Sequence, residues 1–351
     1  MEKGSFMKIL IVSDAWHPQI NGVVRSIDNT AKQLRQAGDD VVILSPMLFK
    51  TFPMPFYPEI RLALLMPGIL GRRKIGRLIE SIRPDSIHIA TEGPLGMAVR
   101  AYLMHKKKAF TTSFHTKFPE YLHARCGIPL KWSYGFLRRF HTRAHKTFVT
   151  TKTQKLELSR REITNTIVWP RGVDISLFTS EGPSSNRLDT AWPRPWLLNV
   201  GRIAVEKNLE AFLELKTPGT KILVGSGPAQ RQLQRRYKDV KFIGSLNGEA
   251  LAAAYRSCDI MVFPSRTDTF GLVIIEALAS GLPVAAYPVT GPIDILDEKS
   301  GAMAEDLKMA IENALKLEPA YAANYARNFS WQKCTEIFRS NLCTLEGASF
   351  S

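Results

Sequence analysis

Two acidic residues, Asp268 and Glu276, stand eight positions apart on either side of a turn that opens the apolar helix predicted at Leu272–Ala279. A helix start preceded by Gly271 offers backbone N–H groups to an anion, and phosphate is the usual occupant. Glu276 would lie about one turn inside the helix, where a carboxylate can accept hydrogen bonds from neutral hydroxyls. The turn and the two acids therefore predict a site for a nucleotide sugar.

Two basic residues, Arg202 and Lys207, follow the apolar strand predicted at Trp196–Val200. They would project from the carboxyl edge of a parallel sheet, where ligands bind in α/β folds. Arginine binds phosphate through several N–H donors of its planar guanidinium, and lysine acts as a point charge. Together they suit a pyrophosphate. The alternative is a pair of solvated surface cations.

Gly225 and Gly227 open a turn after another apolar run, but Gln230 stands where a dinucleotide fingerprint needs its third glycine. The turn therefore indicates the close approach of a nucleotide base to the backbone rather than a redox cofactor.

The first half of the chain offers two candidates, Gly22 and His115. Gly22 precedes a predicted helix, so the backbone there could approach a ligand, with an ordinary helix start as the alternative. His115 follows an apolar strand at the edge where ligands are expected, although a lone histidine is more often structural.

Chain length and charge divide the molecule in two. The 351 residues exceed the usual size of one core, which predicts two domains of about 150 to 200 residues. Residues 1–180 hold 28 Lys and Arg against 13 Asp and Glu, whereas residues 181–351 hold 19 of each. One domain is therefore expected to face an anionic surface, either lipid headgroups or nucleic acid. On the helix predicted after Leu130, the side chains of Trp132, Phe136 and Arg139 could meet a membrane interface, with solvated charges beside a packed helix as the alternative.

Several classes are excluded or disfavoured by missing motifs. The sequence contains no D-x-D, no G-x-x-x-x-G-K-[ST] and no metal-ligand cluster, so cations and helix amides must neutralise a diphosphate. No apolar run reaches about 18 residues, and the first residues lack a leader pattern, which predicts a cytosolic chain.

Short apolar runs alternate with helical patterns in both halves, which predicts parallel βα units. The Ser-, Gly- and Pro-rich stretch after Thr179 is the predicted linker. We therefore expect a domain at residues 7–180, a second at 190–320, and closing helices at 321–351. Two Rossmann-like α/β domains would face one another across a cleft.

Six motifs in this order resemble the retaining glycosyltransferases of family 4, which have the two-domain GT-B architecture. The motifs are Asn21-Gly22-Val23, Ser113-Phe-His-Thr116, Trp169-Pro-Arg-Gly-Val-Asp174, Gly201-Arg202 with Lys207, Val224-Gly-Ser-Gly-Pro228, and the Asp268–Glu276 segment. The resemblance is greatest to the branch with bacterial α-mannosyltransferases, sulfoquinovosyl transferases and glycosyl-diacylglycerol synthases. It implies that the closing helices return to the first domain.

The resemblance also implies residue roles. Arg202 and Lys207 would bind the pyrophosphate, Glu276 the ribose, and Gly225 would lie in the nucleotide site. Asp268, with the backbone amides of Thr269, Phe270 and Gly271, would hold the donor sugar and the β-phosphate. His115 would contact the sugar near the reacting carbon, Gly22 would lie against the diphosphate, and Asp174 would be structural. The family's usual first acid is Glu, and Asp268 is one methylene shorter.

The expected activity is retaining transfer of a hexosyl group from a UDP- or GDP-linked sugar to a membrane lipid such as diacylglycerol or a glycolipid. No cofactor or metal is expected, and the place of action would be the cytoplasmic face of the inner membrane. A saccharide or polysaccharide-precursor acceptor, with the same fold and donor, is the first alternative. A GT-B epimerase or phosphorylase is another, and a nucleic-acid-binding protein is a remote one, suggested by net charge alone.

Overall fold

A computed structural model of the protein describes residues 6–18, 22–54, 57–65, 68–115, 117–268 and 270–345. The chain divides into two compact units, one formed by Met1–Pro170 with Trp331–Ser351 and the other by Arg171–Ser330. Each unit is built on a six-stranded parallel sheet. The prediction of two parallel α/β domains is therefore confirmed.

The first unit contains eight described strands, of which six form its parallel sheet in the order β2-β1-β5-β6-β7-β8. The strands are β1 (Lys8–Val12), β2 (Asp40–Leu44), β3 (Thr51–Met54), β4 (Tyr57–Ala63), β5 (Ser86–Ile89), β6 (Thr111–Phe114), β7 (Lys146–Val149) and β8 (Thr166–Val168). Strands β3 and β4 pair with each other in an antiparallel sheet of their own. Strand β1 lies between β2 and β5, and its residues 9–12 are apolar and buried because both faces of the strand are covered.

Helices cover both faces of this sheet. They are α1 (Gly22–Gln36), α2 (Gly68–Ile82), α3 (Pro94–His105), α4 (Phe118–Cys126), α5 (Leu130–His141) and α6 (Lys152–Ser159). Because strand side chains alternate, Ile9 and Ile11 of β1 share a core with the buried face of α1. Leu10 and Val12 instead pack with residues of α2 and α3.

The second unit repeats this architecture, with the sheet order β11-β10-β9-β12-β13-β14. Its strands are β9 (Trp196–Val200), β10 (Thr220–Val224), β11 (Lys241–Gly244), β12 (Ile260–Phe263), β13 (Val284–Ala286) and β14 (Gly301–Met303). Its helices are α7 (Leu209–Leu213), α8 (Gln230–Arg236), α9 (Gly248–Ser257), α10 (Leu272–Ala279), α11 (Pro292–Ile295), α12 (Leu307–Ala314) and α13 (Pro319–Ala326).

The strand order reverses once in each sheet, between β1 and β5 in the first unit and between β9 and β12 in the second. The connections on the two sides of such a point leave toward opposite faces, which opens a crevice at the carboxyl ends of the strands. The loops after these strands are therefore the places where each unit can bind a ligand.

The chain crosses between the units at different residues from those predicted. The first crossing falls between Pro170 and Arg171, ahead of the predicted linker, and the second between Ser330 and Trp331. Helix α13, predicted to return with the closing segment, stays in the second unit because Ala322 and Ala326 are buried in that unit's core. Only the last helix, α14 (Trp331–Ser340), joins the first unit.

Helix α14 is fixed to the first unit through Trp169 and Asp39. The ring centres of Phe338 and Trp169 lie 4.8 Å apart, and the indole N–H of Trp169 donates to the carbonyl oxygen of Cys334 at 3.1 Å. Arg339 donates to both carboxylate oxygens of Asp39 at 2.7 and 2.9 Å, and this carboxylate raises the pKa of Arg339. The closing helix is thus an integral part of the first unit.

Candidate functional site

In the second unit, the loop after β9 carries both predicted cations at the point where the strand order reverses. β9 is buried along its whole length, and a short 3₁₀ turn, Val205–Lys207, follows it. The Arg202 side chain is exposed, whereas that of Lys207 is 27% exposed. The sheet therefore places two cations at its carboxyl edge, as the sequence predicted.

Lys207 forms an ion pair with Asp268, which follows β12 on the other side of the reversal. The Lys207 ammonium lies 2.6 Å from Asp268 Oδ1 and 2.9 Å from Oδ2. The carboxylate is only 18% exposed. The predicted cation and the predicted acid thus form an ion pair in which both carboxylate oxygens contact the ammonium.

Two further contacts join the same pair of loops. The side-chain amide of Asn208 donates to the carbonyl oxygen of Pro264 at 3.1 Å, and the Thr267 hydroxyl donates to the carbonyl oxygen of Glu206 at 3.3 Å. Asn208 has a φ of 52°, a conformation that asparagine tolerates better than most residues. These contacts hold Lys207 against the loop that leads to α10.

The turn that opens α10 is built on Phe270 and Gly271, while Thr269 lies outside the described residues. Phe270 is buried in the core of the unit. Gly271 has a φ of 87°, and a Cβ atom there would lie 3.0 Å from Ile274 Cδ1. The conformation therefore favours glycine, and the first backbone N–H groups of α10 follow directly after it.

Glu276 lies on α10 and is only 7% exposed. Its Oε2 accepts a hydrogen bond of 3.1 Å from the hydroxyl of Tyr255, a fully buried residue of α9. The carboxylate is therefore oriented by a phenol from the neighbouring helix. The sequence did not identify Tyr255, because an aromatic residue on a helix facing the core gives no separate signal.

The Gly225 turn packs closely against the backbone of a neighbouring loop. Gly225 has a φ of 144°, and a Cβ atom there would lie 1.9 Å from the carbonyl oxygen of Gly201. The backbone N–H of Ile203 donates to the carbonyl oxygen of Ser226 at 2.9 Å. The loop after β10 therefore supports the loop that carries Arg202. The close approach of a nucleotide base to this turn, which the sequence indicated, stays a prediction.

Replacing Gly225 with Ala is expected to destabilise the protein by about 2 to 3 kcal/mol, because the added methyl forces the two loops apart and the backbone is strained. Urea unfolding measures the change. Gly244→Ala is the matched control, since Gly244 also has a positive φ but no atom within 4 Å of the added methyl. Equal destabilisation by the two variants would mean that strain alone, not the contact with Gly201, requires glycine at position 225.

In the first unit, Gly22 and His115 follow β1 and β6 at the same edge of the sheet. Gly22 is the first residue of α1, and its carbonyl oxygen accepts from the Ser26 hydroxyl at 2.7 Å. The His115 side chain is 8% exposed, and its ring lies edge-on to Trp169, with the ring centres 6.0 Å apart. The structure therefore brings these two residues to the same edge of the sheet.

The first unit also contains a buried acid that the sequence did not single out. Asp14 follows β1 and accepts from the backbone N–H groups of Leu95 and Gly96, at 2.8 and 3.1 Å. It therefore caps α3 from a distant part of the chain, although burial raises the pKa of its carboxyl. Asp174, in the second unit, instead makes local contacts, because its Oδ1 accepts from the Ser176 hydroxyl at 2.6 Å.

Two properties bear on metals and membranes. Across the described ranges, no group of three or more His, Cys, Asp and Glu side chains is placed to hold a metal ion. In the same part of the chain, every helix is too short or too polar to span a bilayer.

Two family models match the two parts of the chain. Residues 20–177 match the model described as Glycosyltransferase Family 4, and residues 194–317 match that described as Glycosyl transferases group 1. Sulfoquinovosyl transferase SQD2 of Arabidopsis thaliana is 30% identical over 82% of this chain and 61% of its own length. The chain belongs to the family 4 glycosyltransferases.

Other proteins of known name are similar to this chain. A GDP-mannose-dependent alpha-mannosyltransferase of Mycolicibacterium smegmatis is 29% identical over 83% of this chain and 82% of its own. An alpha-monoglucosyldiacylglycerol synthase of Acholeplasma laidlawii is 24% identical over 79% of each. The crystal structure of Anabaena HepE in complex with UDP-glucose superposes with a TM-score of 0.70 at 16% identity, covering 95% of this chain and 99% of that one. The predicted family, GT-B fold and hexosyltransferase activity are thus confirmed.

Proposed function

We propose that this glycosyltransferase transfers a hexosyl group, with retention at the anomeric carbon, from a UDP- or GDP-linked sugar to a membrane lipid such as diacylglycerol or a glycolipid. The use of a nucleotide-sugar donor is supported by the Lys207–Asp268 ion pair. This pair lies near Arg202 and the start of α10, where the strand order of the sheet reverses. Cations and backbone N–H groups at this edge suit a diphosphate.

Arg202 and Lys207 would bind the pyrophosphate and stabilise the negative charge that develops on it as the sugar leaves. Preorganised electrostatic stabilisation of this kind is commonly the largest contribution to catalysis. The backbone amides of Phe270 and Gly271 would add donors to the β-phosphate, with Thr269 between Asp268 and Phe270. Asp268 would hold Lys207 in place and contact the donor sugar.

Glu276 would accept hydrogen bonds from the ribose hydroxyls, in an orientation set by Tyr255. Gly225 would support the nucleotide site. In the first unit, His115 is proposed to contact the sugar near the reacting carbon and Gly22 to lie against the diphosphate.

The proposed reaction breaks the bond between the anomeric carbon and the phosphate oxygen and forms a bond from that carbon to the acceptor oxygen on the same face. The transition state would resemble an oxocarbenium ion. The departing diphosphate would take the acceptor's proton. No metal ion or cofactor is required, because Arg202, Lys207 and backbone N–H groups supply the compensating charge.

The lipid acceptor is supported by two observations. One relative is named as a synthase of a glucosyldiacylglycerol. The first unit carries 29 Lys and Arg against 14 Asp and Glu, while the second carries 18 of each. Such a distribution favours a peripheral position at an anionic surface, and we propose the cytoplasmic face of the inner membrane. A saccharide acceptor is the second candidate.

Transfer assays test this function. Labelled UDP- and GDP-sugars are supplied with diacylglycerol, total lipid extract or soluble saccharides, with and without EDTA. We expect an α-linked product in the lipid phase that is unaffected by EDTA, with nucleotide released only when acceptor is present. Transfer only to saccharides would refute the lipid acceptor, a β-linked product would refute retention, and nucleotide release without acceptor would favour another reaction of this fold.

A further inference from the structure

One exposed strip of the first unit combines aromatic and basic side chains. Trp132 and Phe136 of α5 are 72% and 46% exposed. Arg139 and Arg143 continue the same strip at helical spacing, with Arg143 just beyond the end of the helix. We call these four residues the α5 surface.

The α5 surface is separate from the face of the helix that packs into the unit. Tyr134, Leu137 and Phe140 are buried. A Cβ atom added at Gly135 would meet no atom within 4 Å, so the outer side of the helix is open. Large aromatic side chains are usually covered, and an exposed pair beside cations is typical of an interaction site.

A third guanidinium lies beside the two arginines. Arg100 of α3 donates to the carbonyl oxygens of Arg139 and Phe140 at 2.6 and 3.0 Å, which fixes it at the carboxyl end of α5. Burial, and then the positive charges of Arg139 and Arg143, lower the pKa of Arg100. Among the described residues, none of these three forms an ion pair, whereas the neighbouring Arg138 pairs with Glu162. The cluster is therefore a concentration of positive charge that an anion would stabilise.

The surrounding chain adds to this charge. Residues 94–161 contain 15 Lys and Arg but only two acids, Glu120 and Glu157. Glu120 accepts a hydrogen bond of 2.6 Å from Tyr134, and Glu157 lies 2.9 Å from Lys117. Both acids are engaged away from the arginine cluster, so the excess charge of the first unit is concentrated here.

We propose that the α5 surface binds an anionic membrane, with Trp132 and Phe136 at the boundary of the hydrocarbon and Arg100, Arg139 and Arg143 contacting lipid headgroup phosphates. Tryptophan favours the membrane interface, and each Lys or Arg near an anionic surface strengthens binding. The inference rests on the proposed function in taking a lipid as the acceptor. Nucleic acid would also neutralise the positive charge, but it would not explain the exposed aromatic pair. The chain shows no motif that reads bases at this surface.

Vesicle co-sedimentation of the full chain tests the proposal, with phosphatidylcholine vesicles that contain or lack phosphatidylglycerol. Arg139→Glu with Arg143→Glu should lower the partition coefficient on anionic vesicles by about 25-fold or more. Trp132→Ala with Phe136→Ala should weaken binding and leave the residual binding more sensitive to salt. Lys106→Glu with Lys107→Glu changes the net charge equally and is the matched control, expected to have a smaller effect.

The assignment to α5 would be overturned if the control variant lost as much vesicle binding as the α5 variant. It would also be overturned if binding were lost only in a variant of α2 with Arg73→Glu and Lys74→Glu. Binding to duplex or single-stranded DNA that competes with vesicles and is insensitive to the aromatic substitutions would do the same. Transfer to a short-chain, monomeric lipid acceptor separates this inference from the proposed function. The α5 variants should retain that transfer. If the wild-type protein does not transfer sugar to this acceptor, the lipid acceptor is refuted, but the membrane-binding surface is not.

Discussion

Replacing Lys207 with Met is expected to lower kcat/KM for the nucleotide-sugar donor by about 10²- to 10³-fold, the effect of removing one preorganised group that stabilises charge in the transition state. Methionine keeps much of the length of the side chain but removes the ammonium. The loss should appear mainly in kcat, because charge on the diphosphate increases as the sugar departs. Initial rates over a range of donor concentrations, with acceptor saturating, measure the two constants.

Lys308→Met is the matched control for this substitution. Lys308 is an exposed lysine of the same unit, 3.8 Å from Glu312 one turn along its helix, and it should tolerate the change without loss of activity. Unfolding temperatures of both variants close to that of the wild type would show that the fold is intact. Transfer by Lys207→Met at the wild-type rate would remove Lys207 from the proposed mechanism.

Asp268 determines how the Lys207 result is interpreted. Both of its oxygens lie within 2.9 Å of the ammonium in the structure, so its principal contact is with Lys207. If Asp268 acts by positioning Lys207, Asp268→Asn will have little further effect once Lys207 is Met. If it acts directly on a sugar hydroxyl, the two losses will multiply. A double-mutant cycle distinguishes these cases, and Asp268→Glu tests whether the family's longer acid can hold the same ammonium.

The strands of the two sheets were predictable because they are short apolar runs bounded by turn residues. β9 lies between Pro195 and Gly201 and was predicted with its observed bounds. The antiparallel pair β3 and β4 was not predicted, because Pro53 and Pro58 interrupt its pattern. Helix α4 was not predicted either, because it has only nine residues and a proline follows its first residue.

The candidate site residues could be proposed from residue type and position, but the contacts between them could not. Lys207 and Asp268 are 61 residues apart and meet because β12 lies beside β9 although it is not the next strand in the chain. The contact of Tyr255 with Glu276 likewise depends on the packing of α9 against α10. Periodicity identifies elements, whereas strand order decides which of their ends come together. The crossing after Ser330 could not be predicted for the same reason, because the core that holds α13 in the second unit is formed by residues distant in sequence.

Glu276→Gln is expected to raise KM for the donor by roughly 10- to 100-fold, since a hydrogen bond to a charged group contributes about 1.5 to 3 kcal/mol. The amide keeps the shape of the side chain and can still accept from Tyr255, so the fold should be retained. The effect on kcat should be smaller, because the ribose is remote from the reacting carbon. UDP- and GDP-linked donors should be affected alike, since both contain ribose.

A donor that lacks the ribose 2′-hydroxyl tests the proposed contact directly. If Glu276 binds the ribose, the wild-type enzyme will discriminate against the 2′-deoxy donor and Glu276→Gln will lose much of that discrimination, because the hydroxyl no longer meets a carboxylate. Tyr255→Phe is the control for an indirect effect. It removes the phenol that orients Glu276 but leaves the charge, so discrimination should fall only in part. Undiminished discrimination in Glu276→Gln would show that the ribose is bound elsewhere and that the buried carboxylate serves the packing of α10 against α9.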